Sequence, residues 1–112
     1  MKQKLLTKEI REMLPPLYAQ ESKGMEAVAY VRYFHPYGAG TWYATEFDGE
    51  DTFFGWACIQ EGELGYFSLS ELESLEARIN GRTIPGLQAI ERDIYFAPKR
   101  LCDIREIMEG AG

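Results

Sequence analysis

Residues 41–59 constrain this chain most: two runs of strand-forming residues flank Asp48-Gly49-Glu50-Asp51. From Thr41 to Phe47 the side chains alternate, so Trp42, Ala44 and Glu46 fall on one side and Tyr43, Thr45 and Phe47 on the other. Asp-Gly supplies the positive φ angles that a tight turn requires. Thr52 to Ile59 is apolar on both faces and predicts a central strand covered on both sides. A chain built around such a hairpin is committed to a sheet.

The flanking segments extend that sheet and supply helices. Leu6, Ile10, Met13 and Leu14 lie on one face of a predicted helix over residues 4–14, which Pro15-Pro16 terminates. Ala27 to Phe34, stopped by Pro36, predicts a strand, and Leu64 to Phe67 predicts another. Ser68 and Glu71 form a capping box. Leu69, Leu72, Leu75 and Ile79 carry the helix it opens to about residue 79, where Asn80-Gly81 closes it. Residues 82–89 read as a Gly/Pro loop and Ile90 to Phe96 as a fifth strand. Asp103 and Glu106 form a second box, opening a final helix within about 101–109 that this order leaves at the periphery. The predicted order is α-β-β-β-β-α-β-α, an α+β fold with an antiparallel meander of four to five strands packed by two to three helices. At 112 residues and 12.8 kDa, residues 1–112 are expected to form one domain, because two cores would not fit.

Charge is distributed unevenly. Residues 46–76 hold nine acids (Glu46, Asp48, Glu50, Asp51, Glu61, Glu63, Glu71, Glu73 and Glu76) and no lysine or arginine. All twelve basic residues lie in the flanks beside the other nine acids. With a net charge of −6, the chain lacks the basic surface that general adhesion to nucleic acid or anionic membrane needs. The two cysteines and one histidine are too few for a structural zinc site of four Cys/His ligands. No apolar run is long enough for a signal peptide or a membrane span. The expected location is cytoplasmic, with Cys58 and Cys102 reduced.

Three functional readings follow. The first is a non-enzymatic module whose acidic 46–76 surface docks a basic protein partner, for instance a nucleic-acid-binding protein. Asp48, Glu50, Asp51, Glu61 and Glu63 would be its contacts. The same charges on turns and helix faces also serve plain solubility. The second reading is a small divalent-metal enzyme acting on phosphate-containing substrates. Glu46, Asp48, Asp51 and Asp93 would hold Mg²⁺ or Ca²⁺, although no cofactor is otherwise indicated. The third concerns Arg92, which an extended Ile90–Phe96 segment places on an apolar face, where it needs a carboxylate. Glu46 is the expected partner, and with Trp42 the pair would form a polar pocket. Cys58 and His35 could pair as nucleophile and base only on paper, since a catalytic thiol wants an electropositive setting. The aromatics of Tyr30–Phe34 and Trp42-Tyr43 read as core rather than as base-stacking platforms.

Several segments also resemble a family of short bacterial, plasmid and phage proteins catalogued as a domain of unknown function. They are Leu14-Pro15-Pro16-Leu17-Tyr18, Trp42 through Gly55, Glu63 through Leu69 and Ile90 through Phe96. The resemblance covers roughly residues 4–98, and the tail from Leu101 departs from the shorter members. It implies the setting of mobile-element cargo, where small acidic proteins bind other machinery. It carries over no catalytic residue.

Overall fold

The computed structural model describes residues 3–110. Helix α1 (Lys8–Met13) opens with Thr7 as N-cap, its side chain accepting from the Ile10 amide. A 3₁₀ segment over Glu21–Glu26 leads into β1 (Val28–Ala29) and β2 (Val31–Phe34). Strands β3 (Thr41–Phe47), β4 (Thr52–Cys58) and β5 (Gly62–Ser68) form the meander. Helix α2 (Leu69–Ser74) is followed by β6 (Glu76–Ile79), β7 (Arg82–Gln88) and β8 (Glu91–Arg92). The described chain ends with β9 (Lys99–Arg100), a 3₁₀ turn over Leu101–Asp103 and α3 (Arg105–Gly110). Mixed helices and antiparallel strands agree with the α+β class, although the order is richer than the sequence suggests. No described helix is long and apolar enough to cross a membrane.

The main sheet runs β5-β4-β3-β2-β8, and its four strand pairs are antiparallel. Side chains at paired positions share a face. One face therefore presents Val31, Tyr33, Trp42, Ala44, Phe47, Phe53 and Phe67. Leu5, Leu6 and Leu14 from the N-terminal segment cover it, together with Leu72, Ala77, Ala89 and Ile90. The opposite face carries Tyr43, packed by Ala29, Leu101, Ile104 and Ile107. The C-terminal segment thus closes the second face of the sheet.

Four expectations are corrected. Helix α2 ends at Ser74, because Asn80-Gly81 is the tip of the β6–β7 hairpin and not a helix stop. Asn80 and Gly81 have φ of 53° and 78°, the paired positive angles that turn two antiparallel strands. Residues 82–88 are accordingly a strand. The Ile90–Phe96 strand shrinks to Glu91–Arg92, beyond which the Asp93 carboxylate accepts from the Tyr95 amide and turns the chain. The second capping box does not form as read: Asp103 accepts from the Arg100 guanidinium, and Glu106 reaches across to the sheet.

A β-bulge corrects the side assignment in β3. Ala44 pairs with Gly55 and Glu46 with Phe54, so two steps on β3 match one on β4. Thr45 is the extra residue, and its hydroxyl donates to the Phe54 carbonyl at 3.0 Å. The inserted residue reverses the alternation. Glu46 therefore points away from the Trp42 face.

Candidate functional site

The five expected docking carboxylates separate into two groups. Asp48 Oδ1 accepts the backbone amides of Glu50, Asp51 and Thr52 at 2.8, 2.8 and 3.0 Å, which closes the β3–β4 turn. Asp51 accepts from the Ser68 hydroxyl at 2.7 Å and from the Ser70 amide and hydroxyl at 2.8 and 2.7 Å, tying the hairpin to α2. These bonds hold both carboxyls below the usual range. Both side chains serve the fold first. Glu50 is exposed beside them, whereas Glu61 and Glu63 lie at the far end of β4. Seven extended residues separate the two groups, about 20 Å. The charge does not gather into one lobe. It sits instead at the two ends of β5, an edge strand whose outer side receives no backbone hydrogen bond among the described residues. None of the ion pairs among the described residues uses an acid of the 46–76 block.

The other expected constellations are not brought together. Asp93 pairs with Arg32 at 3.4 Å, Glu46 lies on one face of the sheet, and Asp48 and Asp51 are held in turns. Among the described residues no three His, Cys, Asp or Glu side chains gather to hold a metal ion. Arg92 Nε donates to the Lys4 carbonyl at 3.1 Å, not to Glu46. The Trp42–Glu46–Arg92 pocket is absent because the bulge turns Glu46 to the opposite face. His35 Nδ1 accepts from the Tyr37 amide, and β3 lies between the strand ends carrying His35 and Cys58, so the two do not pair.

A cleft of about 470 Å³ opens between α3 and the β4–β5 turn, with Tyr43, Trp56, Cys58, Glu61 and Glu106 among its walls. Its polar centre is a chain of bonds. Arg32 Nε donates to Tyr43 Oη at 3.0 Å, Tyr43 Oη donates to Glu106 Oε2 at 2.7 Å, and Thr41 Oγ1 donates to Glu106 Oε1 at 3.0 Å. Burial, reinforced by Glu106, pushes the Tyr43 phenol far above its ordinary range. Burial opposes the Glu106 charge, but Tyr43, Arg32 and Thr41 together hold its carboxyl below the usual value. Arg32 and Glu106 are already paired at 3.1 Å. The network fastens the last helix to the sheet and offers no free reacting group.

The second cavity differs in kind. About 100 Å³ in volume, it lies beside β5, walled by Tyr18, Glu21, Phe54, Leu64 and Tyr66, with Glu46 also lining it. Glu46 is 3% exposed, and its two carboxylate oxygens accept the backbone amides of Tyr18 at 2.8 Å and Gln20 at 2.7 Å. Tyr18 adopts φ 76°, a left-handed conformation costing a non-glycine residue about 1 kcal/mol. Tyr18 and Tyr66 are 62% and 57% exposed. The Phe54 and Tyr66 rings meet edge to face at 5.0 Å. Donation of a hydrogen bond to Tyr18, then desolvation and the nearby carboxylates of Glu21 and Glu46, raise the Tyr66 phenol above its ordinary range. Sequence reasoning misses this pocket because its walls come from segments 18–27, 45–54 and 64–66, which no local spacing links. The only sequence signal is Pro15-Pro16, which delivers Tyr18 to the sheet.

A family model described as Protein of unknown function (DUF2958) matches residues 5–110. The match extends beyond the 4–98 range of the sequence resemblance and includes α3. Among curated proteins and among solved structures, nothing matches the chain.

Proposed function

The chain belongs to the family Protein of unknown function (DUF2958), and for this member we propose a non-enzymatic binding module that docks an extended basic segment of a protein partner along β5. The observation that carries this reading is an open edge strand with carboxylates at both ends that form no ion pair among the described residues, although Arg11 donates to the Gly49 carbonyl of the β3–β4 turn. An unpaired edge offers backbone donors and acceptors to an added strand. Leu64 and Tyr66, both exposed, give that strand apolar contact. Glu61 and Glu63 at one end, with Glu50 near the other, favour Lys and Arg on the incoming segment and speed its capture. Asp48 and Asp51 contribute field rather than direct contacts, since their oxygens are engaged within the fold.

The test is titration of an extended peptide with lysine at alternate positions into isotopically labelled protein, at low and high salt. The expected result is slowed amide exchange within residues 62–68, affinity falling with salt, and about a fivefold loss for the Glu61→Gln/Glu63→Gln variant. Binding that maps away from β5, or that ignores both salt and the double substitution, would overturn the reading.

A further inference from the structure

We propose that the cavity formed by Tyr18, Phe54, Tyr66, Glu21 and Glu46 is a receptor for a single side-chain cation, the guanidinium of arginine or the ammonium of lysine. It deepens the β5 docking reading and rests on it for the source of that cation, a side chain of the docked segment.

The argument starts from Glu46. A carboxylate buried to this degree is expensive unless a positive charge balances it. Its bonds to the Tyr18 and Gln20 amides satisfy one lone pair on each oxygen, but no ion pair among the described residues supplies a cation. An ionised carboxylate offers about four acceptor sites, so each oxygen retains capacity for a further donor, and Glu46 lines the cavity. A second carboxylate, Glu21, stands at the same wall. Three aromatic rings, those of Tyr18, Phe54 and Tyr66, also line the cavity, and the negative faces of such rings attract cations held within about 6 Å of their centres. Aromatic rings above a buried anion accept a cation with an apolar stem better than a neutral or an anionic group. The cavity volume, about 100 Å³, suits one head group and no larger ligand. Because the cavity adjoins β5 through Leu64 and Tyr66, a side chain of a strand added to that edge can reach it.

The experiment uses Nα-acetyl-arginine amide, Nα-acetyl-lysine amide and the neutral Nα-acetyl-norleucine amide, each titrated to about 10 mM into the labelled full chain. Both cationic probes are expected to shift the amides of Tyr18, Gln20, Phe54 and Tyr66, with norleucine leaving them in place. Stronger shifts with arginine would assign a guanidinium site, and stronger shifts with lysine an ammonium site. Glu46 also anchors residues 18–20, so Tyr66→Leu, at an exposed side chain, carries the test without threatening the fold. It is expected to weaken the cationic probes by at least about threefold. Equal shifts from all three probes, or none from the cations, would overturn the proposal. These probes are too short to pair along β5, so their failure removes the cation site while the peptide titration decides the docking edge separately.

Discussion

Tyr43 Oη lies 2.7 Å from Glu106 Oε2 and donates to it, joining the middle of the sheet to the helix that covers its second face. Arg32 donates to both groups, so the phenol sits between a cation and a carboxylate. Tyr43→Phe removes the central donor while leaving the Arg32–Glu106 pair in place. The variant should lose about 1.5 kcal/mol, the magnitude of a hydrogen bond to a charged group, measured by urea denaturation. A change below about 0.3 kcal/mol would show that the bond contributes nothing net.

The same contact makes stability depend on pH. The Glu106 carboxyl titrates below its ordinary 4.5 in the folded protein, because Tyr43, Arg32 and Thr41 outweigh the opposing effect of burial. A lowered folded value means that the unfolded chain binds the proton more readily. The contribution is therefore complete above pH 4.5 and lost as pH falls through the folded value. Melting temperatures of the wild type and Glu106→Gln should differ near neutrality and converge as the pH falls through the folded value. A gap that does not change with pH would refute the assignment. Asp48 and Asp51 act in the same direction in both proteins, so the comparison isolates Glu106.

Tyr33 is wholly buried, and its hydroxyl has no hydrogen-bond partner among the described residues. Burial pushes its phenol far above the ordinary range. An orphaned hydroxyl costs the fold its desolvation. Tyr33→Phe should leave stability unchanged or raise it by up to about 1 kcal/mol. A loss larger than that in denaturant titration would reveal a partner for the hydroxyl.

A Cβ at Gly55 would stand 1.8 Å from the Tyr43 carbonyl oxygen, which is backbone and cannot swing away. Its cross-strand neighbour Gly65 has nothing within 4 Å of the corresponding position. Gly55→Ala should cost about 3 kcal/mol or more, while Gly65→Ala folds like the wild type. Similar melting curves for the two variants would contradict the strand packing described above.

Those contrasts also mark what the chain makes legible. The β3–β4 hairpin is readable because alternation and Asp-Gly point the same way, and the Ser68 cap is realised by its bond to the Glu71 amide. The segment after α2 is ambiguous. Leu69, Leu72, Leu75 and Ile79 satisfy a helical period, Glu76 to Ile79 also satisfies a strand, and Asn-Gly can end a helix or turn a hairpin. Pairing with residues 82–88, which the sequence alone presents as a Gly/Pro loop, decides. Glu46 was misplaced for a different reason: a period-two reading has no means of registering an inserted residue. The Tyr18–Glu46–Tyr66 cavity depends on that misread position and on a loop crossing from the N-terminal side.

The extra residue at Thr45 sets the reading frame of the strand. Pairing Thr45 in regular register, without the bulge, would rotate Glu46 into the ring cluster of Phe47, Phe53 and Phe67 and lift Phe47 out of it, whereas deleting Thr45 restores plain alternation and leaves both on their present faces. The bulge itself is thus what sorts Glu46 from Phe47 in a strand of this length. Relatives one residue shorter at this point should therefore keep both side chains in place with a plain, unbulged strand.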